Sequence, residues 1–187
     1  MSGPLHPRVA EVARYLADSG STGEVRVLPA EVRTAAAAAI ALEVPVGAIV
    51  NSLVFAVGED DDAEPLLVLT SGAHRVDETT VAGLLGVPRL RRATADFVRD
   101  ATGQAIGGVA PIGHPEPIGT LVDIELARYE RVWAAAGHPS AVFPTTYDEL
   151  LRLTAGTAAE VGSGPSDPGA VTVGGAPLAD VPGAVAP

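Results

Sequence analysis

Residues Thr102 to Gly119 read T-G-Q-A-I-G-G-V-A-P-I-G-H-P-E-P-I-G, and no regular helix or central strand can run through them. Five glycines carry more backbone freedom than a regular element can absorb, and three prolines lack the N–H that a ladder needs. The stretch must therefore be a shaped loop between two apolar segments. Such a loop offers bare backbone N–H groups and close backbone approach. It serves as a difficult chain reversal, as a cradle for a carbonyl, carboxylate or phosphate, or as both.

The rest of the chain has to supply a frame for that loop. With 187 residues it suits one domain of ordinary size, and a core of about 150 residues removes roughly 70% of its unfolded surface from water without a metal or a disulfide. The chain has no cysteine, which excludes a thiol nucleophile, a zinc–cysteine site and a disulfide framework together. No signal-like apolar run opens it and no segment is long enough to span a bilayer, so no membrane partner and a cytoplasmic location are expected. The net charge of -11 opposes generic nucleic-acid binding, although Arg89, Arg91, Arg92 and Arg99 gather in one place and the acids of Glu59 to Glu64 in another. All twelve basic residues are arginine; there is no lysine.

Taken in order, Val9, Val12, Ala13 and Leu16 predict a first helix opened by Pro7, and Glu24 to Leu28 a short strand. Thr34 caps an alanine-rich helix over Ala35 to Leu42. Gly47 to Val57 is the strongest strand, with Ile49, Asn51, Leu53, Phe55 and Val57 on one face and Val50, Ser52 and Val54 on the other. Through the acidic tip it forms an antiparallel hairpin with Leu66 to Leu69. Thr70 to Arg75 reads as a polar turn, Asp77 to Leu85 as a helix, Leu90 to Ala93 as a short strand, and Thr94 as the start of another helix. Beyond the loop, Thr120 to Ile124, Arg131 to Ala135 and Ala141 to Phe143 read as strands, Gly137 to Pro139 as a sharp loop, and Tyr147 to Leu153 as a last helix. The residues from about Gly156 onward are Gly, Ala, Pro, Val, Ser and Thr without period. This composition predicts a domain over residues 1–155 and a disordered tail over 156–187. The fold class expected is α+β, a mixed, largely antiparallel sheet flanked by helices.

Five segments in this order, T-A-A-A-A-A-I-A-L-E-V, I-V-N-S-L-V-F, L-V-L-T-S-G, T-G-Q-A-I-G-G-V-A-P-I-G and A-A-G-H-P-S-A-V-F, closed by T-Y-D-E-L-L-R-L-T, resemble the YbaK/ProX family. That family comprises the editing domain inserted in bacterial prolyl-tRNA synthetase and its free-standing relatives. Gly107-x-x-x-Pro111 is the most specific element, and the resemblance spans Val9 to Thr154. It implies trans-acting hydrolysis of a mischarged aminoacyl-tRNA without metal or cofactor. It also implies the acceptor end of that tRNA as partner, with a synthetase as a second. Backbone N–H groups of the loop at Gly107, Gly108, Val109 and Ala110 would hold the ester oxyanion. The family carries a substrate-contacting lysine where this chain has Asn51, whose amide can donate and accept but cannot act as a base. A non-catalytic binding module that keeps the pocket is therefore the alternative.

The candidate catalytic set is Asn51, Gly107 and Gly108, and the candidate substrate-binding set is Ser71, Gly72, Pro111, Gly113 and His138. Each has a structural counterpart: Asn51 a satisfied buried amide, the glycines simple turns, Ser71-Gly72 an ordinary strand-to-helix turn, His114 and His138 solvent-facing loop rings, and Asp123 a cap on the turn to Glu125. Arg33 or Arg75 could bring charge to the pocket in place of the lysine. A serine-hydrolase elbow and a P-loop are excluded by missing motifs, and a dinucleotide fingerprint because Gly103 to Gly108 follows a helix.

Overall fold

A computed structural model of the chain describes residues 5–29, 32, 34–59 and 62–165. The expectation concerning Arg33 falls outside them.

The helices start where capping side chains dictate. Helix α1 (Pro7–Asp18) has proline at its first position and buries Val9, Val12 and Leu16 at helical spacing. Thr34 caps α2 (Ala35–Leu42), its hydroxyl accepting the Ala37 N–H at 3.1 Å. The same device recurs with Asp77 at α3 (Glu78–Leu85), Thr94 at α4 (Ala95–Thr102) and Thr146 at α5 (Tyr147–Thr154). Glycine in the left-handed conformation ends α3 at Gly86 and α4 at Gly103.

Strands β1 (Arg26–Val27), β2 (Val50–Val57), β3 (Glu64–Ser71), β4 (His74–Val76), β5 (Leu90–Arg92), β6 (Gly119–Asp123), β7 (Val132–Ala135), β8 (Ala141–Thr145), β9 (Thr157–Ala159) and β10 (Gly162–Pro165) complete the architecture. The central sheet runs β5-β2-β3-β6-β9. Strand β2 is antiparallel to both β3 and β5, whereas β3–β6 and β6–β9 are parallel. An antiparallel sheet β1-β8-β7 joins it through a parallel bridge between Ile49 and Trp133. The expected α+β mixed sheet is the fold observed.

The period-two reading of β2 holds from Val50 to Val57; Gly47 and Ala48, read as its start, belong to a 3-10 turn over Val46–Ala48, and Ile49 packs apart from Leu53 and Phe55. Val50 and Val54 face the cluster built with Leu67, Leu69, α1, α4 and the glycine-rich loop. Leu53 and Phe55 face Leu66, Val68 and the buried side of α3. A third cluster packs α2 against Ile49, Trp133 and Val142. Leu67 and Leu69 are fully buried, so truncating either to alanine costs about 2–5 kcal/mol.

Two expectations need correction. Thr157–Ala159 pairs with β6 and Gly162–Pro165 with β4, so ordered structure passes the boundary placed at residue 155. The ladders of β6 and β4 supply the hydrogen bonds that these small residues do not specify by themselves. The remainder of the predicted tail, 166–187, lies outside the described residues. His74 and Arg75, read as the end of a turn, form strand β4 with Val76, the partner of β10.

Candidate functional site

Where β2 emerges from its bridge to β7 and before it meets β5, one edge of the strand is left open. The Ala93 N–H donates to the Val54 C=O at 3.3 Å, which fixes the even-numbered residues of β2 as those whose backbone groups point to this edge. A cavity of about 380 Å³ lies along it. One wall is the β2 stretch Ile49 to Phe55; a second is Leu28, Val32, Thr34, Ala35 and Ala38. The floor is Trp133, Ala135 and Val142, and the remaining side is Arg92, Ala93, Val98, Ile106, Gly107, Val109 and Pro139. The alanines of α2 matter here, because larger side chains at Ala35 and Ala38 would fill this space.

The structure brings Asn51 and Gly107 together on this cavity, as the sequence suggested. The Asn51 side chain is half-buried and has no hydrogen-bond partner among the described residues. Gly107 is exposed, with φ 90, a value available to glycine at little cost.

Gly108 has a different part from the one expected of it. Its N–H donates to the Ala105 C=O at 3.2 Å, and a Cβ there would stand 2.6 Å from the His138 carbonyl carbon and the Pro139 nitrogen. It is the point at which the glycine-rich loop lies directly on the 137–139 segment. The Ala110 N–H is also engaged, donating to Gln104 Oε1 at 2.7 Å, while Gln104 Nε2 donates to the Ile112 C=O at 3.2 Å. Of the four backbone donors expected in this loop, Gly107 and Val109 keep free N–H groups among the described residues, and both line the cavity. Sequence reasoning missed the brace, Gln104, although a buried glutamine inside a glycine-rich run was there to be noticed.

The other candidates stand apart from the cavity. The buried Ser71 hydroxyl donates to the Gly47 C=O at 2.8 Å, and the Gly72 N–H donates to the Ile49 C=O at 2.7 Å, so this pair locks the turn against the start of β2. Pro111 is buried and Gly113 exposed, neither lining the cavity. His138 sits behind Pro139, its Nδ1 3.0 Å from Ser140 Oγ and its ring 5.0 Å from that of His6. His114 is also held inward: its Nε2 lies 2.9 Å from the Ala110 C=O, and burial lowers its pKa from 6.5. Arg75 is exposed and away from the cavity; Arg92 reaches the rim instead, ion-paired to Glu78 at 3.1 Å. Arg99 is likewise paired, to Asp96 at 3.4 Å, so part of the arginine face is neutralised within the fold.

Two further polar atoms belong to cavity-lining residues. Ser52 Oγ and Trp133 Nε1 are buried and take no hydrogen-bond partner among the described residues. An unsatisfied buried donor costs about 1–3 kcal/mol, and neither atom is accessible from the cavity. Arg26 lies over the Trp133 ring, 4.9 Å from its centroid, holding the indole in place.

Behind Asn51 on the same sheet face lies a buried polar centre. Asp123, wholly buried, caps the turn as expected, its Oδ1 accepting the Glu125 N–H at 3.1 Å. Its Oδ2 also accepts from the Thr70 hydroxyl and the Ser71 N–H, both at 3.0 Å, and lies 3.0 Å from His74 Nδ1. The hydrogen bond to Asp123 raises the His74 pKa above 6.5 against the opposing effect of burial. Among the described residues no group of acids and histidines is arranged to hold a metal ion, and no helix is long and apolar enough to cross a membrane.

Comparison with known proteins agrees with this geometry. A solved structure assigned as a trans-editing enzyme for prolyl-tRNA synthetase is 44% identical with a TM-score of 0.79, covering 86% of this chain and all of that one. The proline–tRNA ligase of Cupriavidus necator is 31% identical over 86 residues, 46% of this chain but 15% of the ligase. YwhH of Bacillus subtilis strain 168 is 29% identical over 117 residues, 63% of this chain and 72% of YwhH. The family profile of the aminoacyl-tRNA editing domain matches residues 29–153, which contain the cavity lining except Leu28, its loop and the buried centre, and the chain belongs to that family.

Proposed function

We propose that this protein hydrolyses, in trans, the ester of a wrongly charged aminoacyl-tRNA, with tRNA for proline as the first substrate to examine. The observation that carries the reading is the set of unpaired polar groups on residues lining one apolar cavity: the Asn51 amide and the N–H groups of Gly107 and Val109. An apolar pocket with a few polar groups aimed at a ligand is how small-molecule sites are built. The aminoacyl group would occupy the cavity, and the terminal ribose would lie against Gly107. As water adds to the ester carbonyl carbon, the N–H groups of Gly107 and Val109 stabilise the oxyanion; collapse of that intermediate releases the amino acid and the ribose oxygen. No histidine or carboxylate lines the cavity among the described residues, so the substrate's own neighbouring ribose hydroxyl relays the proton, accepting it from the attacking water while giving its own to the leaving ribose oxygen. Catalysis then rests on position and on the loop's dipoles.

A second reading, a binding module without hydrolysis, is favoured by Asn51 itself, which stands at the family's lysine position in a chain without lysine. Deacylation of proline tRNA charged with alanine, cysteine or serine separates the two. Turnover supports the enzyme; binding without turnover at high protein concentration supports the module. Asn51→Lys is expected to raise turnover if the lost amine is limiting, and unchanged or lower turnover would show a pocket built around asparagine.

A further inference from the structure

We infer that the buried His74–Asp123 pair is a positioning centre for the cavity, coupling the charge on His74 to the placement of the β2 wall at Ile49 to Asn51. The physical links are continuous. One oxygen, Asp123 Oδ2, faces three donors: the Thr70 hydroxyl, the Ser71 N–H and His74 Nδ1, each at 3.0 Å. Thr70 and Ser71 pair directly with Asn51 and Val50 across the sheet. Ser71 Oγ then holds the Gly47 C=O at 2.8 Å, the Gly72 N–H holds the Ile49 C=O at 2.7 Å, and Ile49 bridges to Trp133. A change of charge at His74 therefore reaches three residues of the cavity wall, Ile49, Val50 and Asn51, and one of its floor, Trp133, through hydrogen bonds and strand pairing.

The surroundings make that charge consequential. His74 is faced by Asp123 from β6, by Glu125 from the following turn, with Nε2 to Oε2 at 3.9 Å, and by Glu160 from the link between β9 and β10. Arg128 pairs with Glu125 at 3.2 Å and takes up part of its charge. On the remaining side Gly162 of β10 lies close on the ring: a Cβ there would come within 2.8 Å of His74 Nδ1. With the imidazole protonated, Asp123 has an ionic partner. With it neutral, the ring can keep its Nδ1–H on Oδ2, but two buried carboxylates are left without a cation on that side, held by peptide and hydroxyl dipoles and by Arg128, and more of the Asp123 charge falls on the Thr70 and Ser71 donors. The significance for ester hydrolysis rests on the function proposed above, whereas the coupling itself does not.

The single tryptophan of the chain, Trp133, reports on the cavity. The indole N–H and the histidine ring signals of the full-length protein are followed by NMR from about pH 5.5 to 9, the range in which histidines titrate. The expected result is one shared midpoint above 6.5 for the His74 ring and the Trp133 indole. His74→Gln should flatten the indole response, and His138→Gln, changed next to Pro139 on the opposite wall, should leave it. A flat indole in the wild type, a midpoint that follows another histidine, or a step that survives His74→Gln would overturn the inference. The wild-type comparison alone decides if the variant does not fold. Should the protein lack all deacylase activity and still show the shared step, the coupling stands and the proposed function falls.

Discussion

The contact between the glycine-rich loop and the 137–139 segment offers a sharp test, through Gly108→Ala. The added Cβ would stand 2.6 Å from the His138 carbonyl carbon and the Pro139 nitrogen, and 2.8 Å from the His138 Cα. Ordinary contact begins at 3.4 Å, so the two backbones must part by 3.4 less 2.6, about 0.8 Å. The 137–139 segment has little room to retreat. The His138 C=O accepts the Ala141 N–H at 3.0 Å, and Gly137 already lies against the Arg8 backbone at the start of α1. The loop must give instead, which costs about 1–3 kcal/mol of stability, the usual range for overpacking. It also carries the Gly107 and Val109 N–H groups away from their positions, and a misplacement near 1 Å can lower turnover by about 10²-fold. Urea unfolding and deacylation are measured side by side, with Gly119→Ala as control, since a Cβ at Gly119 meets nothing within 4 Å. Stability within about 0.5 kcal/mol of wild type, together with unchanged turnover, would refute the account of Gly108.

The other predictions concern the frame. Gly83 lies inside α3 with open space where a Cβ would go, so Gly83→Ala should stabilise by about 0.5–1 kcal/mol in urea unfolding; a loss would mean that α3 needs the glycine for packing. Stability should also depend on pH with opposite slopes on either side of 6.5. His74, with its folded pKa raised, contributes stability that is full below 6.5 and is lost as pH rises through the folded value. His114, with its folded pKa lowered, contributes stability that is full above 6.5 and is lost as pH falls through its folded value. His74→Gln should remove the alkaline slope and leave the acid one, and urea midpoints across the range check both.

Much of this frame was legible because local chemistry and tertiary packing agree. Thr34 caps the helix it was expected to cap, the helices read near Asp77, Thr94 and Tyr147 open on side-chain caps of the same kind, and the alternation in β2 survives because both faces are covered. What was hidden depends on partners distant in sequence. His74 and Asp123 are 49 residues apart and meet only because β3 and β6 run parallel, so a polar turn and a strand end gave no sign of an inward hydrogen-bonded pair. Strands β9 and β10 exist because β6 and β4 offer ladders, not because Thr157 to Pro165 favour extended structure. For the site, the residue types of the loop could be read, but not which of its N–H groups would already be spent on Ala105 and Gln104.

That last distinction bears on how such a site can work without its lysine. A flexible cationic side chain can follow charge as it develops; an asparagine and two fixed N–H groups can only be in the right place beforehand. The described walls of the cavity carry one charge, Arg92 at the rim, which is already paired to Glu78. If the proposed hydrolysis takes place here, its electrostatic stabilisation comes from oriented dipoles, whose value depends on being held rigid in a dry setting. The investment in holding them is visible: Gln104 braces the loop from within, Gly108 seats it on His138 and Pro139, and Asp123 ties the opposite strand through Thr70 and Ser71. If dipoles carry the chemistry, loosening Gln104 should reduce turnover at constant binding more than removing Arg92 does. If charge carries it, the order reverses.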